Sequence, residues 1–388
     1  MARHIAANAL TLLIVALVAL VIAVGWGQHQ FTTTGPLEEA VCLRVERGAS
    51  LQAVSEQLEG YGAIRSGTLF RVGARYSEKA DGLRFGAHLV PPGASMEEIL
   101  GIVTRPGPST CGTEVQLRIG VVQVDTIVRD LDAATARFEE VLRFDWDTDP
   151  PEEYLAFANR SDTRFRVTVV EGTTVWQVVE GLRRAEFLTG EIEGLPPEGM
   201  LAPDSYEVRR GDDRSALLAE MQARQERILA DLWAARAEGL PFDTPEEAMI
   251  LASIVEKETS VPDERRMVAS VFVNRLRVPM RLQTDPTVIY GITRGEGTLG
   301  RGLRRSELDT HTPWNTYRID GLPRTAIANP GRASIAATLD PDDTPYIYFV
   351  ADGTGGHAFS TNLADHNRHV ARWRQIEAER RNNAVEQP

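Results

Sequence analysis

The hydrophobic pattern falls into three regimes. From Ala9 to Gly27 the chain reads ALTLLIVALVALVIAVGWG, with Thr11 as its one polar side chain and no charge. A run of about 20 apolar residues is long enough to cross the hydrocarbon core as a helix. Arg3 precedes it and no Lys or Arg follows until Arg44, so the positive-inside rule puts the N-terminus in the cytoplasm and the bulk of the chain outside. A cleaved signal peptide is the other reading. It is disfavoured because the apolar run exceeds the usual length and no clean small-x-small site closes it.

The second regime is a short period that recurs. LRVERGASLQAVSEQL (43–58) and RVTVVEGTTVWQVVEGL (166–182) each run from a β-rich stretch through a Gly turn (Gly48, Gly172) to a hydroxyl cap and an amphipathic helix. The cap is Ser50 in the first and Thr173 or Thr174 in the second. FGAHLVPPGASMEEIL (85–100) and APDSYEVRRGDDRSALLAEM (202–221) repeat a strand, turn and capped helix. Strand–helix–helix–strand units of this kind resemble LysM modules, which bind N-acetylglucosamine in cell-wall glycans. The pattern leaves open whether these units bind sugar or only space the rest. Between the copies, Val115–Val124 reads as strand and Asp130–Leu142 as helix. Asp145-Trp146-Asp147-Thr148-Asp149-Pro150-Pro151 reads as a loop. A long charged helix is predicted from Asp212 to Glu238, ended by Gly239 and Pro241.

The third regime, 244–375, carries the densest chemistry. Thr244-Pro245-Glu246-Glu247 is a helix start: a hydroxyl cap, proline in the first turn, then carboxylates favoured by the dipole. On a wheel with Leu251 at zero, Ile254 falls near about −60°, Val255 near about 40° and Ala248 near about 60°. Glu258 falls near about −20°, within the apolar face, and Glu256 near about 140°, on the face expected to meet water. Burial disfavours the charged form of Glu258 and raises its proton affinity, as a general acid at neutral pH requires. A structural Glu tied to Arg265 or Arg275 satisfies the same wheel. The next helix, from Pro262-Asp263-Glu264, is expected to bury Val268, Val271, Phe272 and Leu276. Asp285-Pro286 reads as a cap with first-turn proline, with Gln283 and Thr284 placed before it to meet a ligand. YIYFV (346–350) and HAFS (357–360) read as a hairpin. Ser360 or Thr361 would cap the helix of His366 and His369. His357 and Asn362 would line a cleft. His-x-x-His alone lacks the further ligands of a zinc motif, so neither metal nor cofactor is expected.

These motifs carry a resemblance. LASIVEKETSVPDERRMVASVFVNRL (251–276) with MRLQTDPTVIYGI (280–292), TPWNTYRIDGLPRTAIANPG (312–331) and TPYIYFVADGTGGHAFSTNLADHN (344–367) resemble the endolytic murein transglycosylases of the YceG-like (MltG) family. The resemblance implies a lyase that cuts peptidoglycan glycan strands internally, between N-acetylmuramic acid and N-acetylglucosamine, leaving a 1,6-anhydro end and terminating strand elongation. It implies Glu258 of the Glu258-Thr259 pair as the acid, peptidoglycan synthases as partners, and an inner-membrane site with the catalytic part periplasmic. Gln283, Thr284, Asn315 and Tyr317 are the candidate substrate-binding residues. A glycoside hydrolase with Asp285 as second carboxylate, and a non-catalytic glycan-binding scaffold, are the rival readings.

The expected fold is α+β. It comprises a stub (1–8), a transmembrane helix (9–27), a LysM-like domain (42–111), a second repeat with linker helices (112–240), a mainly helical catalytic domain with a small hairpin (241–375) and a solvated tail (376–388). Composition adjusts this picture only slightly. With 42 basic and 55 acidic side chains among 388 residues, the net charge of −13 gives no basic face for nucleic acid. The cysteines, Cys42 and Cys111, are the chain's only two. They either pair, closing a loop worth about 4 kcal/mol in the chain-entropy model, or stay as buried thiols.

Overall fold

The computed structural model describes residues 2–385 except 47, 108–109, 133–134, 136, 146–147 and 161–162, with side chains described from 12 to 381. Trp146 and Asp147 of the expected loop lie outside the described residues. The architecture is α+β. Chain contacts divide it into two compact units, one running to Val115 with Ile127–Arg143 and Pro150–Arg164, the other holding Gln116–Thr126, Phe144–Asp149 and the chain from Phe165 onward.

The first unit begins with α1 (Ala2–Thr32), whose stretch Leu12–Thr32 is long and apolar enough to cross a membrane. The first repeat copy follows as β1 (Val41–Val45), α2 (Leu51–Gly60), α3 (Gly67–Tyr76) and β2 (Gly86–Val90), then α4 (Met96–Thr104). β1 and β2 pair antiparallel, Leu43 opposite His88. Ser50, Ser66 and Ser95 cap the three helices, each accepting a backbone N–H three residues on. Leu43, Val54, Leu58, Phe70 and Ile99 are buried in its core. Cys42 and Cys111 are joined, with Cα atoms 5.8 Å apart, so of the two sequence readings the disulfide is the one realised.

Strands β3 (Thr113–Ile119), β4 (Val124–Asp132), β5 (Arg137–Asp145), β6 (Arg164–Val169) and β7 (Ser205–Val208) form a sheet in the order β5-β4-β3-β6-β7. This corrects the helix expected over 130–142. Phe138, Leu142 and Phe144 lie at even spacing and share the less exposed side of β5. The Phe138–Leu142 spacing of four suits a helix as well as a strand, and pairing with the neighbouring strand decides it. Helix α5 (Glu152–Ala158) precedes β6.

In the second unit, β6 leads through the Gly172 turn into α6 (Val175–Arg184), and β7 into α7 (Arg214–Ala234), capped by Asp213. Thr174, not Thr173, caps α6 and makes a reciprocal capping box with Gln177. Only one helix lies between β6 and β7, where the first copy has two. Then come α8 (Pro245–Glu258), a short 3-10 turn (Pro262–Glu264), α9 (Arg265–Arg277), α10 (Asp285–Thr293), α11 (Arg305–Asp309) and α12 (Arg332–Leu339). β8 (Tyr348–Ala351) and β9 (His357–Ser360) make the expected hairpin, Phe349 opposite Phe359. Helix α13 (Leu363–Val385) continues into the solvated tail expected from residue 376. Its cap is neither Ser360 nor Thr361. Asn362 accepts the Asp365 N–H at 3.0 Å, because an Asn one residue before the helix reaches that N–H directly.

Candidate active site

The site is built at the end of α8. Thr244 accepts the N–H of Glu247 and Glu247 reaches back, with Pro245 in the first turn. From Ala248 to Val255 every residue except Ile250 is buried. A helix apolar on nearly all sides is a core helix, and Leu251, Ile254 and Val255 pack with Val268, Phe272, Leu282 and Ile335. Burying each large aliphatic side chain contributes about 1.5–3 kcal/mol, which is what holds the three polar residues at its end in place.

Those three residues meet three different neighbours. Glu256 is half-buried and its carboxylate accepts the Gly331 N–H at 3.0 Å. It does not face water as the wheel implied. The side of α8 opposite the apolar stripe is also covered, and a wheel gives direction without saying what lies there. Lys257 donates to the Gly172 carbonyl at 3.2 Å, and burial depresses its proton affinity. Glu258 accepts a short hydrogen bond from the Thr284 hydroxyl.

Burial is the largest influence on Glu258 and raises its pKa above the usual carboxylate range. The Thr284 bond opposes this, the Asp285 charge adds to it, and His357 and Arg275 weaken it. Among the described residues no ion pair joins Glu258 to Arg265 or Arg275. Arg275 instead donates to the carbonyls of Ile347 at 2.7 Å and Leu282 at 2.5 Å, and its guanidinium lies 5.5 Å from the Tyr348 ring centre.

Thr284 is buried, and it, not Asp285, is the residue before the first turn of α10. The Asp285 carboxylate is exposed and accepts the Tyr317 hydroxyl at 2.7 Å, so it is drawn out of the capping position by a partner 32 residues away. The Thr284 backbone is fixed by a small hydroxyl cluster that sequence reasoning missed. Its N–H donates to Thr316 Oγ1 at 3.0 Å, its carbonyl accepts from Thr287 at 2.7 Å, and the Thr287 and Thr316 hydroxyls lie 2.9 Å apart. The Thr-x-x-Thr spacing of 284 and 287 was readable. Nothing local marked Thr316.

Gln283 sits at φ 48° with an exposed side chain. A non-glycine residue in the left-handed region costs about 1–3 kcal/mol and persists where the surrounding structure over-determines it. Its N–H donates to the Thr316 carbonyl at 3.2 Å, which holds the strained turn. Asn315 is placed differently from expectation. It is buried, its amide donates to the carbonyls of Glu307, Leu308 and Thr310, and its side-chain oxygen accepts the Tyr317 N–H. It shapes the loop that carries Tyr317. The Tyr317 hydroxyl is held protonated by burial first and by Asp285 next.

His357 lies within electrostatic reach of Glu258, and its Nδ1 is 2.6 Å from the Glu264 carboxylate. The other histidines are engaged elsewhere: His366 stacks on Tyr348 at 5.0 Å and His369 bonds Ser360 at 3.1 Å. Asn362, the other expected cleft residue, serves as the α13 cap. Among the described residues no three His, Cys, Asp or Glu side chains gather as a metal site. A second buried carboxyl escaped the sequence reading. Glu198 accepts the Val175 N–H at 2.8 Å and the Tyr290 hydroxyl at 3.1 Å, and burial pushes its pKa up to about 7.

Together these features form a partly buried carboxyl of raised proton affinity, with an exposed carboxylate, a phenol and an imidazole within its electrostatic reach. That set is suited to protonating a leaving oxygen. The profile of the YceG-like family matches residues 147–372. The chain is 25% identical over 393 residues to an endolytic murein transglycosylase of Streptococcus pneumoniae, covering 95% of this chain and 65% of that protein. It is 25% identical over 330 residues to an endolytic murein transglycosylase of Bacillus subtilis, covering 84% of this chain and 83% of that protein. The chain thus spans about two-thirds of the length of the streptococcal relative. A solved yceG-like protein of Listeria monocytogenes aligns with a TM-score of 0.44 at 22% identity, covering 85% of this chain and 98% of that chain.

Proposed function

The chain belongs to the YceG-like family, and from that premise we propose that it is a membrane-anchored lytic transglycosylase of peptidoglycan with Glu258 as its acid. Its substrate is the glycan strand, cut internally at the bond from N-acetylmuramic acid to N-acetylglucosamine. Glu258 protonates the glycosidic oxygen, and the C6 hydroxyl of the muramic residue closes onto C1 as a 1,6-anhydro sugar. Ordinary glycosidases need a second carboxylate to activate water or to attack. Here the nucleophile is part of the substrate, so proximity takes over that task. Glu258, once ionised, must recover a proton before the next turnover.

The observation that carries this reading is the environment of Glu258: a carboxyl at the end of a buried helix, its pKa raised by burial and its orientation set by Thr284. Gln283, strained and exposed, and Tyr317, whose hydroxyl is fixed on Asp285, are suited to meet the sugar. Asn315 acts by positioning Tyr317. Helix α1 anchors the chain in the inner membrane with its N-terminus cytoplasmic, and the first repeat copy, with its β-α-α-β order, serves as the LysM-like unit. Peptidoglycan synthases, which supply nascent strands, are the natural partners.

Mass spectrometry of fragments released from purified peptidoglycan by the wild type and by Glu258→Gln tests the proposal. Anhydro-ended fragments that fall by about 100-fold or more in the variant are expected for loss of a general acid. Reducing ends instead would assign a hydrolase using Asp285. Binding without cleavage would leave a glycan-binding scaffold.

A further inference from the structure

We propose that His357, held by Glu264, is a second proton-handling group of this site and accepts the proton of the attacking hydroxyl. The assignment rests on the transglycosylase reading above. Glu264 ends the 3-10 turn that follows α8. It stands close behind Glu258 in sequence, across a tight bend in which the Thr259 hydroxyl accepts the Val261 N–H at 3.1 Å.

Glu264 grips His357 twice: its carboxylate accepts the backbone N–H at 2.9 Å and meets ring Nδ1 at 2.6 Å. With the Glu264 carboxylate as acceptor, Nδ1 carries the hydrogen, and a neutral ring then keeps its lone pair on Nε2. The hairpin comes this close because residue 356 is glycine: a Cβ there would lie 2.6 Å from the Glu264 Oε1. The ring stands edge-on to Phe349 at 5.3 Å and to Phe359 at 6.3 Å. The His357 and Glu264 side chains are only 16% and 18% exposed. A base oriented by a carboxylate is a recurring element of proton-transfer sites. The His357 charge reaches Glu258, where it favours the carboxylate.

The step balances without water. As O6 bonds to C1 and the C1–O4 bond breaks, Glu258 gives its proton to O4 and the O6 proton passes to Nε2 of His357. The site then holds a carboxylate and an imidazolium. Return of the Nε2 proton to Glu258 restores the starting state.

The test is the pH profile of kcat/KM for release of anhydro-ended fragments by the full-length protein in detergent. The charged or titratable groups facing the pair are Glu264, Asp285, Tyr317, Arg275 and Asp352. Wild type is expected to show a slope-one limb on the acid side, where the imidazole gains its proton. His357→Gln is expected to lose about 100-fold or more in rate, and to lose that limb. Glu264→Gln should lose less, since the imidazole remains and only the carboxylate that orients its Nδ1 hydrogen is changed. Imidazole added to folded His357→Ala should restore part of the rate. A wild-type rate or an unchanged acid limb in His357→Gln, or no rescue of folded His357→Ala, overturns the assignment while leaving the transglycosylase standing. Release of reducing ends by the wild type overturns both.

Discussion

The two copies of the repeat use the same local instructions for different ends. Each has a glycine turn at positive φ, 75° at Gly48 and 79° at Gly172, followed by a hydroxyl-capped helix. Around Gly48 there is open space. A Cβ at Gly172 would meet the side chains of Glu256, Lys257 and Val121 at 3.7 Å, and the residue gives its N–H to the Asn329 carbonyl at 2.9 Å and accepts from Lys257. The Ser50 cap is exposed, whereas Thr174 also donates to the Gly295 carbonyl at 2.6 Å in a buried bond. The first copy is closed by a disulfide. The second is built into the residues that surround the candidate acid. A turn and a cap therefore specify a local shape, and the surrounding chain decides whether that shape is scaffold or part of a site.

The strongest way to break this comparison is the disulfide. Replacing Cys42 and Cys111 by Ser should cost about 4 kcal/mol of stability in the first unit by the chain-entropy argument, with the rate of glycan cleavage unchanged. Scanning calorimetry checks it, and equal shifts of every transition would show that the copies do not fold as separate units.

Next in size is a pH effect confined to the second unit. Glu198 has a pKa of about 7 in the fold against 4.5 as its ordinary value, so between those values the folded state holds a proton the unfolded chain releases. Stability should be fullest below 4.5 and fall as pH rises to about 7, by up to about 3 kcal/mol, then level off. Glu198→Gln keeps the shape and should flatten that slope in a series of melting curves. Glu98, beside the first copy, goes the other way: its bonds with Ser95 lower its pKa, so its contribution is lost as pH falls.

The smallest effect sharpens the contrast between caps. Ser50→Ala should cost about 1 kcal/mol, and Thr174→Ala about 2, because the second also strands a buried carbonyl. Equal costs in urea titrations would remove the distinction.

Much of the fold was legible because the signals were local. The Thr244-Pro245 start and the period of α8 placed Glu258 toward the core before any contact was known. The same reasoning failed for Glu256, whose partner Gly331 comes from 75 residues away. It failed for 130–142, where a four-residue spacing fits two periods. It named Asn315 as a substrate-binding candidate without showing that its amide is taken up by its own loop, and it missed the Glu264–His357 pair, which a hairpin 93 residues downstream brings together.

What the sequence determined by itself is therefore most of the elements, the Ser50 and Thr244 caps, the apolar helix at the N-terminus and the face on which the candidate acid lies. Backbone dihedral preferences and side-chain periodicity act over one or two turns, and one chain segment contains all they need. Tertiary structure alone decided the proton affinity of Glu258, its bond to Thr284, the pairing of Cys42 with Cys111 and the placing of His357. Desolvation and hydrogen-bond geometry depend on atoms distant in the chain, which meet only once the core around α8 has formed.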